Sequence, residues 1–273
     1  MRIATQADRP VLNDLWQQAF GDGPEFSNFV FDKFAGFDHT YVEEQGGQLV
    51  ASACAVPVTL GALRGFYLYG LNTRAELRGR GIMRTLLQTL EQQLAAGGAA
   101  FTVLVPANQP LFAFYEKLGY ETRFTHRIVT KEVKPNLWVR ADFDTLTAPR
   151  LAAAREQFLP RPYVAFAAQP HAAMVQGLYT EGATTVQTEQ GYGVFFVQQD
   201  TMVFRELAAE SNFAATQLLE AARQKSGCFE ATLELPHFGE LFLGEGEQRP
   251  YGMLKWLANE RIAEEPNMSL MGD

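Results

Sequence analysis

The sequence is poor in several features that would announce a function at once. Cys54 and Cys228 are its only cysteines among 273 residues, too few for a disulfide framework and not spaced as metal ligands, so both read as buried thiols. The four histidines, His39, His126, His171 and His237, are scattered. No Ser-His-Asp set stands out, and no metal is expected. No apolar run reaches the roughly 18 residues of a membrane span, and the opening MRIATQADRP carries no apolar stretch behind its basic residue. A cytoplasmic protein without a membrane partner is therefore expected. Positive charge is also scarce: 23 Lys and Arg face 31 Asp and Glu, giving a net charge of -8. That balance opposes counterion-release binding, so no nucleic-acid partner is expected.

What is present suits an α+β protein of two domains, with 47% hydrophobic and 20% charged residues. Thr5 and Asp8 suit a capping box ahead of the apolar stripe Val11, Leu12, Leu15, Trp16 and Ala19. A second helical pattern, Phe26, Phe29, Val30 and Phe34, is unusually aromatic. The period then changes to strands at 41–44, 48–60 and 63–73, with Gly46-Gly47 as a hairpin turn between the first two. A helix over 81–96, a strand at 101–105, a short helix at 110–118 and a strand at 121–133 complete the order ααβββαβαβ. Lys134 to Asp142, which contains Pro135, reads as a linker. Beyond it, strands at 184–188, 192–197 and 202–207, a helix over 213–224 and a strand at 228–235 repeat the βββαβ order of the first half.

The loop Arg78-Gly79-Arg80-Gly81 stands between a strand and an amphipathic helix. A helix N-terminus offers unpaired backbone N–H groups and about half a positive charge, and glycines let an anion approach them. Arg74, Arg78, Arg80 and Arg84 against the single Glu76 make this spot basic within an acidic protein. A phosphate-bearing ligand fits. In the second half the corresponding loop is Ala208-Ala209-Glu210-Ser211-Asn212, with no glycine and an acidic residue, so that copy should hold no phosphate.

The stretch LNTRAELRGRGIMRTLL resembles the acetyl-CoA motif of the GCN5-related N-acetyltransferases (GNAT), and ANQPLFAFYEKLGYE resembles that family's second motif. The resemblance implies the GNAT acyl-CoA acyltransferase fold with a mixed sheet. It implies a catalytic domain over 1–134, a linker at 135–142 and a degenerate GNAT-like domain over 143–273. It also implies an N-acetyltransferase with acetyl-CoA as donor. By similarity, the strand backbone at Leu71, Asn72 and Thr73 pairs with the pantetheine arm and aims an amide at the thioester carbonyl. The amides of Arg78, Gly79, Arg80, Gly81, Ile82 and Met83, with Arg84 beside them, hold the pyrophosphate. Asn108 touches the pantetheine, and Tyr115 lies near the sulfur as general acid. Two departures stand out: Glu76 replaces the usual glutamine or arginine, and Met83 stands where a small residue is common, which would narrow the pocket. GIMR at the helix start, together with the duplicated second half, resembles the enhanced-intracellular-survival subgroup of tandem domains.

The base is less marked. Asp22, Glu25, Asp32, Asp38 and His39 lie in or beside the aromatic segment that borders the acceptor site in this family; Glu25 is the first candidate, and the terminal carboxylate of Asp273 is another. The expected acceptor is a small-molecule or peptide amine, with homo-oligomerisation left open. A non-catalytic acyl-CoA sensor or assembly protein is the alternative. His126, His171 and His237 read as structural. Arg161-Pro162-Tyr163 and Arg249-Pro250-Tyr251-Gly252 echo each other as two rigid turns with aromatic anchors.

Overall fold

The computed structural model describes residues 1–135 and 146–272. Most of the expected linker, and Asp273, lie outside the described residues. The described chain divides into two compact units, neither of them one continuous stretch of sequence. The first comprises Met1–Glu121, Ala165–Ala173 and Met253–Ala263. The second comprises Thr122–Val164, Met174–Gly252 and Glu264–Asp273.

In the first unit, Thr5 and Asp8 form the capping box, with the Asp8 carboxylate accepting from the Thr5 amide at 2.7 Å. Arg2 donates twice to the same carboxylate and holds its pKa well below the usual range. Helix α1 (Arg9–Phe20) follows, then α2 (Pro24–Phe29) and a π-helical turn at Val30–Phe34. Strand β1 (Arg2–Ile3) pairs with β2 (Thr40–Gln45), β2 with β3 (Gln48–Leu60), and β3 with β4 (Leu63–Thr73), all antiparallel. Gly46 and Gly47, at φ of 58° and 78°, supply the two left-handed positions that a tight β2–β3 turn needs.

Helix α3 (Ile82–Ala96) leads to β5 (Phe101–Leu104), which runs parallel to β4. Helix α4 (Gln109–Glu116) comes next. Leu86, Leu87, Leu90 and Leu94 of α3 pack with Val50, Ala53, Ala55 and Leu68. Tyr69, on the opposite face of β4, meets Trp16 of α1. Strand β6 (Glu121–Glu132), helix α5 (Ala148–Phe158), β7 (Val164–Phe166) and helix α6 (Ala168–Thr180) follow in the chain, and residues 165–173 return to the first unit.

In the second unit, β8 (Thr184–Thr188), β9 (Gly191–Gln198) and β10 (Thr201–Ala209) are antiparallel neighbours. Helix α7 (Asn212–Ser226) connects β10 to β11 (Glu230–Pro236), which runs parallel to β10 and antiparallel to β6. The order β8-β9-β10-α7-β11 thus reproduces β2-β3-β4-α3-β5. Within this unit Arg155 and Glu206 form a buried ion pair at 3.2 Å. The Glu206 carboxylate also accepts from the Tyr192 hydroxyl at 2.6 Å and from Ser269 Oγ at 2.5 Å. Strand β12 (Glu247–Trp256) ends in the first unit, where Met253 to Trp256 pair antiparallel with Leu104 to Phe101.

Candidate functional site

The site in the first unit begins where two parallel strands stop pairing. The β4–β5 ladder covers only Gly65–Tyr67 against Phe101–Val103. Beyond it, β4 keeps its antiparallel partner β3 as far as Thr73 and has no ladder partner on its β5 side. At this opening β4 carries a bulge: Cys54 faces Tyr69 and Ser52 faces Asn72, so Gly70 and Leu71 together oppose Ala53. Gly70 takes a φ of +60°, and a Cβ there would sit 2.3 Å from Trp16 Cζ3. No sequence motif announced the bulge; a glycine within a strand pattern is its usual trace. Asn72 is buried, accepting from Ser52 Oγ at 3.1 Å and donating to the Gly70 carbonyl at 3.0 Å. Its side chain braces the bulge, which leaves the strand backbone around Leu71 and Thr73 as the part open to a ligand.

The loop before α3 is open in the manner an anion needs. Gly81, at φ +80°, is the N-cap of α3, and no side chain caps the helix. A Cβ at Gly79 or Gly81 would meet nothing within 4 Å. The Arg78 amide already donates to the Ala75 carbonyl at 3.3 Å, and its Nε donates to the Thr73 carbonyl at 3.1 Å. The available amides therefore start at Gly79. Ile82 is buried in the core and Met83 packs against it, so both face away from the loop and contribute backbone. Arg80 and Arg84 are exposed.

Asn108 caps α4, its side-chain oxygen accepting from the Leu111 amide at 3.3 Å. Its side-chain oxygen is thereby engaged within the helix start. Tyr115, on α4, is 5% exposed, with its ring centroid 5.1 Å from Phe114 and 5.8 Å from Tyr120. Burial pushes its pKa up to about 12. Tyr120 is engaged differently: its hydroxyl donates to Glu91 at 2.7 Å and meets Thr102 Oγ1 at 2.9 Å. Glu91, buried on α3, also accepts from Lys255 at 2.5 Å. This trio joins residues far apart in sequence, and no local pattern marks it.

The candidate bases separate in space. Asp22 accepts from Trp16 Nε1 at 3.0 Å, which ties it to the residue packed on the bulge. Glu25 is exposed in the first turn of α2. Asp32 is held by Arg9 at 2.5 Å, and Asp38 is exposed. His39 packs near Phe66, five residues before Leu71 along an extended strand and so roughly 16 Å from the bulge. Desolvation lowers its pKa. The aromatics Phe31 and Trp16 are fully buried, while Tyr69 is half-buried between Trp16 and Phe34, with centroids at 5.8 and 5.3 Å.

The other histidines belong to packing. His126 is stacked on Tyr251 at 4.0 Å, with Nε2 2.8 Å from the Met268 carbonyl. His171 is buried on α6, and His237 pairs with Glu265 at 2.8 Å. Tyr163 hydrogen-bonds Glu156 from a bend at Arg161-Pro162, but Arg249-Pro250-Tyr251-Gly252 is not the expected turn: it lies within β12, where Tyr251 stacks on His126. Among the described residues no helix is long and apolar enough to cross a membrane, and no three His, Cys, Asp or Glu side chains group as a metal would require.

Parallel strands that splay beside a bulge, followed by an uncapped glycine-rich helix start, describe one kind of site. Residues 1–123 match the family model of the acetyltransferase (GNAT) domain. This segment is a GNAT domain. Acyl transfer is that family's chemistry, with acetyl-CoA as its donor. Among solved structures, Eis1 from Mycobacterium abscessus aligns over 94% of this chain and 73% of its own, at 15% identity and a TM-score of 0.73. A GCN5-related N-acetyltransferase from Anabaena variabilis aligns over 94% of this chain and 72% of its own, at 21% identity and a TM-score of 0.71. A tandem GNAT protein from the clavulanic acid biosynthesis pathway aligns over 96% and 98%, at 11% identity and a TM-score of 0.54. These likenesses carry the GNAT fold beyond the N-terminal GNAT domain and into the second unit. No curated protein matches the chain.

Proposed function

We propose that the chain is an acetyl-CoA-dependent N-acetyltransferase that acetylates a primary amine by direct attack in a ternary complex. The observation that carries this reading is the uncapped start of α3 behind Gly79 and Gly81, set beside the point where β4 leaves β5. The amides from Gly79 to Met83, with Arg80 and Arg84 nearby, would hold the pyrophosphate. The backbone at Leu71 and Thr73 and the amide nitrogen of Asn108 would hold the pantetheine arm. Bound acetyl-CoA would supply the thioester whose C–S bond breaks as the new C–N bond forms.

The protein's own groups then manage charge and protons. A β4 amide at the bulge donates to the carbonyl oxygen as negative charge develops there. Tyr115, held neutral by burial, gives its proton to the departing thiolate. A carboxylate takes a proton from the substrate ammonium, freeing the neutral amine to attack. Glu25 is the first candidate, and Asp22 stands beside it because of its bond to Trp16. The acceptor is a small-molecule or peptide amine.

The test is thiol release from acetyl-CoA across a panel of amines, run alongside calorimetric titration with coenzyme A. Amine-dependent release supports the reading. Coenzyme A binding with no release for any amine would replace it with the acyl-CoA sensor, a reading favoured by the exposure of Glu25 and the engagement of Asp32 with Arg9. An absence of coenzyme A binding would end both.

A further inference from the structure

We propose that the second unit binds a small, extended, phosphate-free amide chain carrying an ammonium group, in the cleft where its own parallel strands part. The β10–β11 ladder covers Thr201–Phe204 against Glu230–Leu233 and then ends. Among the described residues, β10 continues to Ala209 with β9 alone as ladder partner, and β11 continues to Pro236 with β6 alone. Between these edges lies a cavity of about 470 Å³, lined on one side by Leu207, Ala208 and Ala209 and on the other by Leu235 and Pro236. That volume falls within the usual range for small-molecule sites. Parallel edges with free backbone groups accept an extended chain bearing its own N–H and C=O groups.

The chemistry of the two ends of the cleft sets the ligand's charge. Unlike α3, helix α7 is capped: Ser211 Oγ accepts from the Ala214 amide at 3.2 Å. The side-chain oxygen of Asn212 is taken by the Phe242 amide at 2.7 Å. Glu210 precedes the cap, so negative charge already sits at the positive helix end. A polyphosphate would find the Ala214 amide already taken and a like charge beside it. Among the described residues the charged ones lining the cavity are Glu210 and Glu240, both exposed, with no Lys or Arg beside them. Phe158 and Phe238 add aromatic walls to which an ammonium is attracted.

The wall is also rigid. Buried Arg127 donates to the carbonyls of Gly239, Leu241, Phe242 and Glu245 at 3.0, 2.7, 2.5 and 2.9 Å. Four bonds from one guanidinium hold the 238–241 side of the cleft in place without a ligand.

The experiment uses the full chain saturated with coenzyme A and titrated with glycyl-lysinamide, with triglycinamide as a probe of lower charge. Backbone hydrogen exchange over 205–210 is followed throughout. Glycyl-lysinamide should protect this segment and bind at least tenfold more tightly than triglycinamide. Ala209→Phe, which fills the cleft, should abolish the protection; the double variant Glu210→Lys, Glu240→Lys should weaken binding at least tenfold while leaving the thermal midpoint unchanged. Calorimetry should count one coenzyme A per chain or none; two would overturn the exclusion of phosphate. The proposal also fails if protection is absent over 205–210, or if the double variant binds as tightly as the parent. Amine-dependent thiol release is a separate measurement, so loss of the proposed transferase reaction would not be mistaken for loss of this site.

Discussion

Gly70 and Trp16 meet so closely that neither can change alone: a Cβ on Gly70 would lie 2.3 Å from the indole, and the glycine φ of +60° disfavours any other residue. Gly70→Ala should cost about 2–3 kcal/mol from overpacking and backbone strain. Because the bulge shapes the β4 edge, coenzyme A affinity should fall with it. Denaturant unfolding and calorimetry check the two effects. A variant with parental stability would show that the bulge relaxes without cost.

The loop glycines should respond by size and charge. The site of a Gly79 Cβ is empty but its φ is +77°, so Gly79→Ala should weaken coenzyme A about tenfold, roughly 1.4 kcal/mol. Gly79→Glu should abolish measurable binding by placing a carboxylate against the phosphates. Equal affinities for the two variants would move the pyrophosphate elsewhere.

Tyr115→Phe should lower turnover about a hundredfold with little change in coenzyme A affinity. Since burial holds its pKa at about 12, Tyr115 stays protonated through pH 7 to 9 and should impose no alkaline limb on the parent's rate in that window. Linkage gives a matching sign for stability. The folded state keeps a proton that the unfolded chain releases near pH 10, so the Tyr115 contribution is complete below pH 10 and is lost as pH rises toward 12. The Phe variant should lose less stability than the parent over that interval. An unchanged rate would end the general-acid role.

The base can be assigned by comparing Glu25→Gln with Asp22→Asn. The variant that lowers kcat/KM while coenzyme A affinity holds names the carboxylate. Parental kcat/KM for both would leave proton removal to water.

The Arg155–Glu206 pair gives a prediction independent of catalysis. Arg155→Met leaves the Glu206 carboxylate, 2% exposed, without its cation. The loss should be about 3–5 kcal/mol, read from denaturant unfolding. A loss below about 1 kcal/mol would mean that Tyr192 and Ser269 suffice to hold the charge.

The elements that build the candidate site were largely legible. Alternation gave β3 and β4 to the residue, and the glycines of 79–81 marked the helix start, because these features depend on neighbours a few positions apart. The bulge at Gly70–Leu71 was not legible, since it shows only against the register of β3. Helices α5 and α6 were passed over: α5, APRLAAAREQF, is alanine-rich with a buried arginine in place of a clear apolar stripe. Strand β12 was masked by Pro250 and Gly252, both poor strand residues. The Glu91–Tyr120–Lys255 trio left no trace because its members stand as many as 164 positions apart.

Residues 253–256 supply the strand beside β5 although the two segments stand far apart in sequence. Pairing them closes a long loop, an entropic cost that a local hairpin does not carry. A fragment ending near residue 134 would hold both cofactor motifs and yet carry a raw strand edge, prone to associate with its own copies. Holding the motifs and holding a closed sheet are therefore separate requirements, met by separate stretches of the chain.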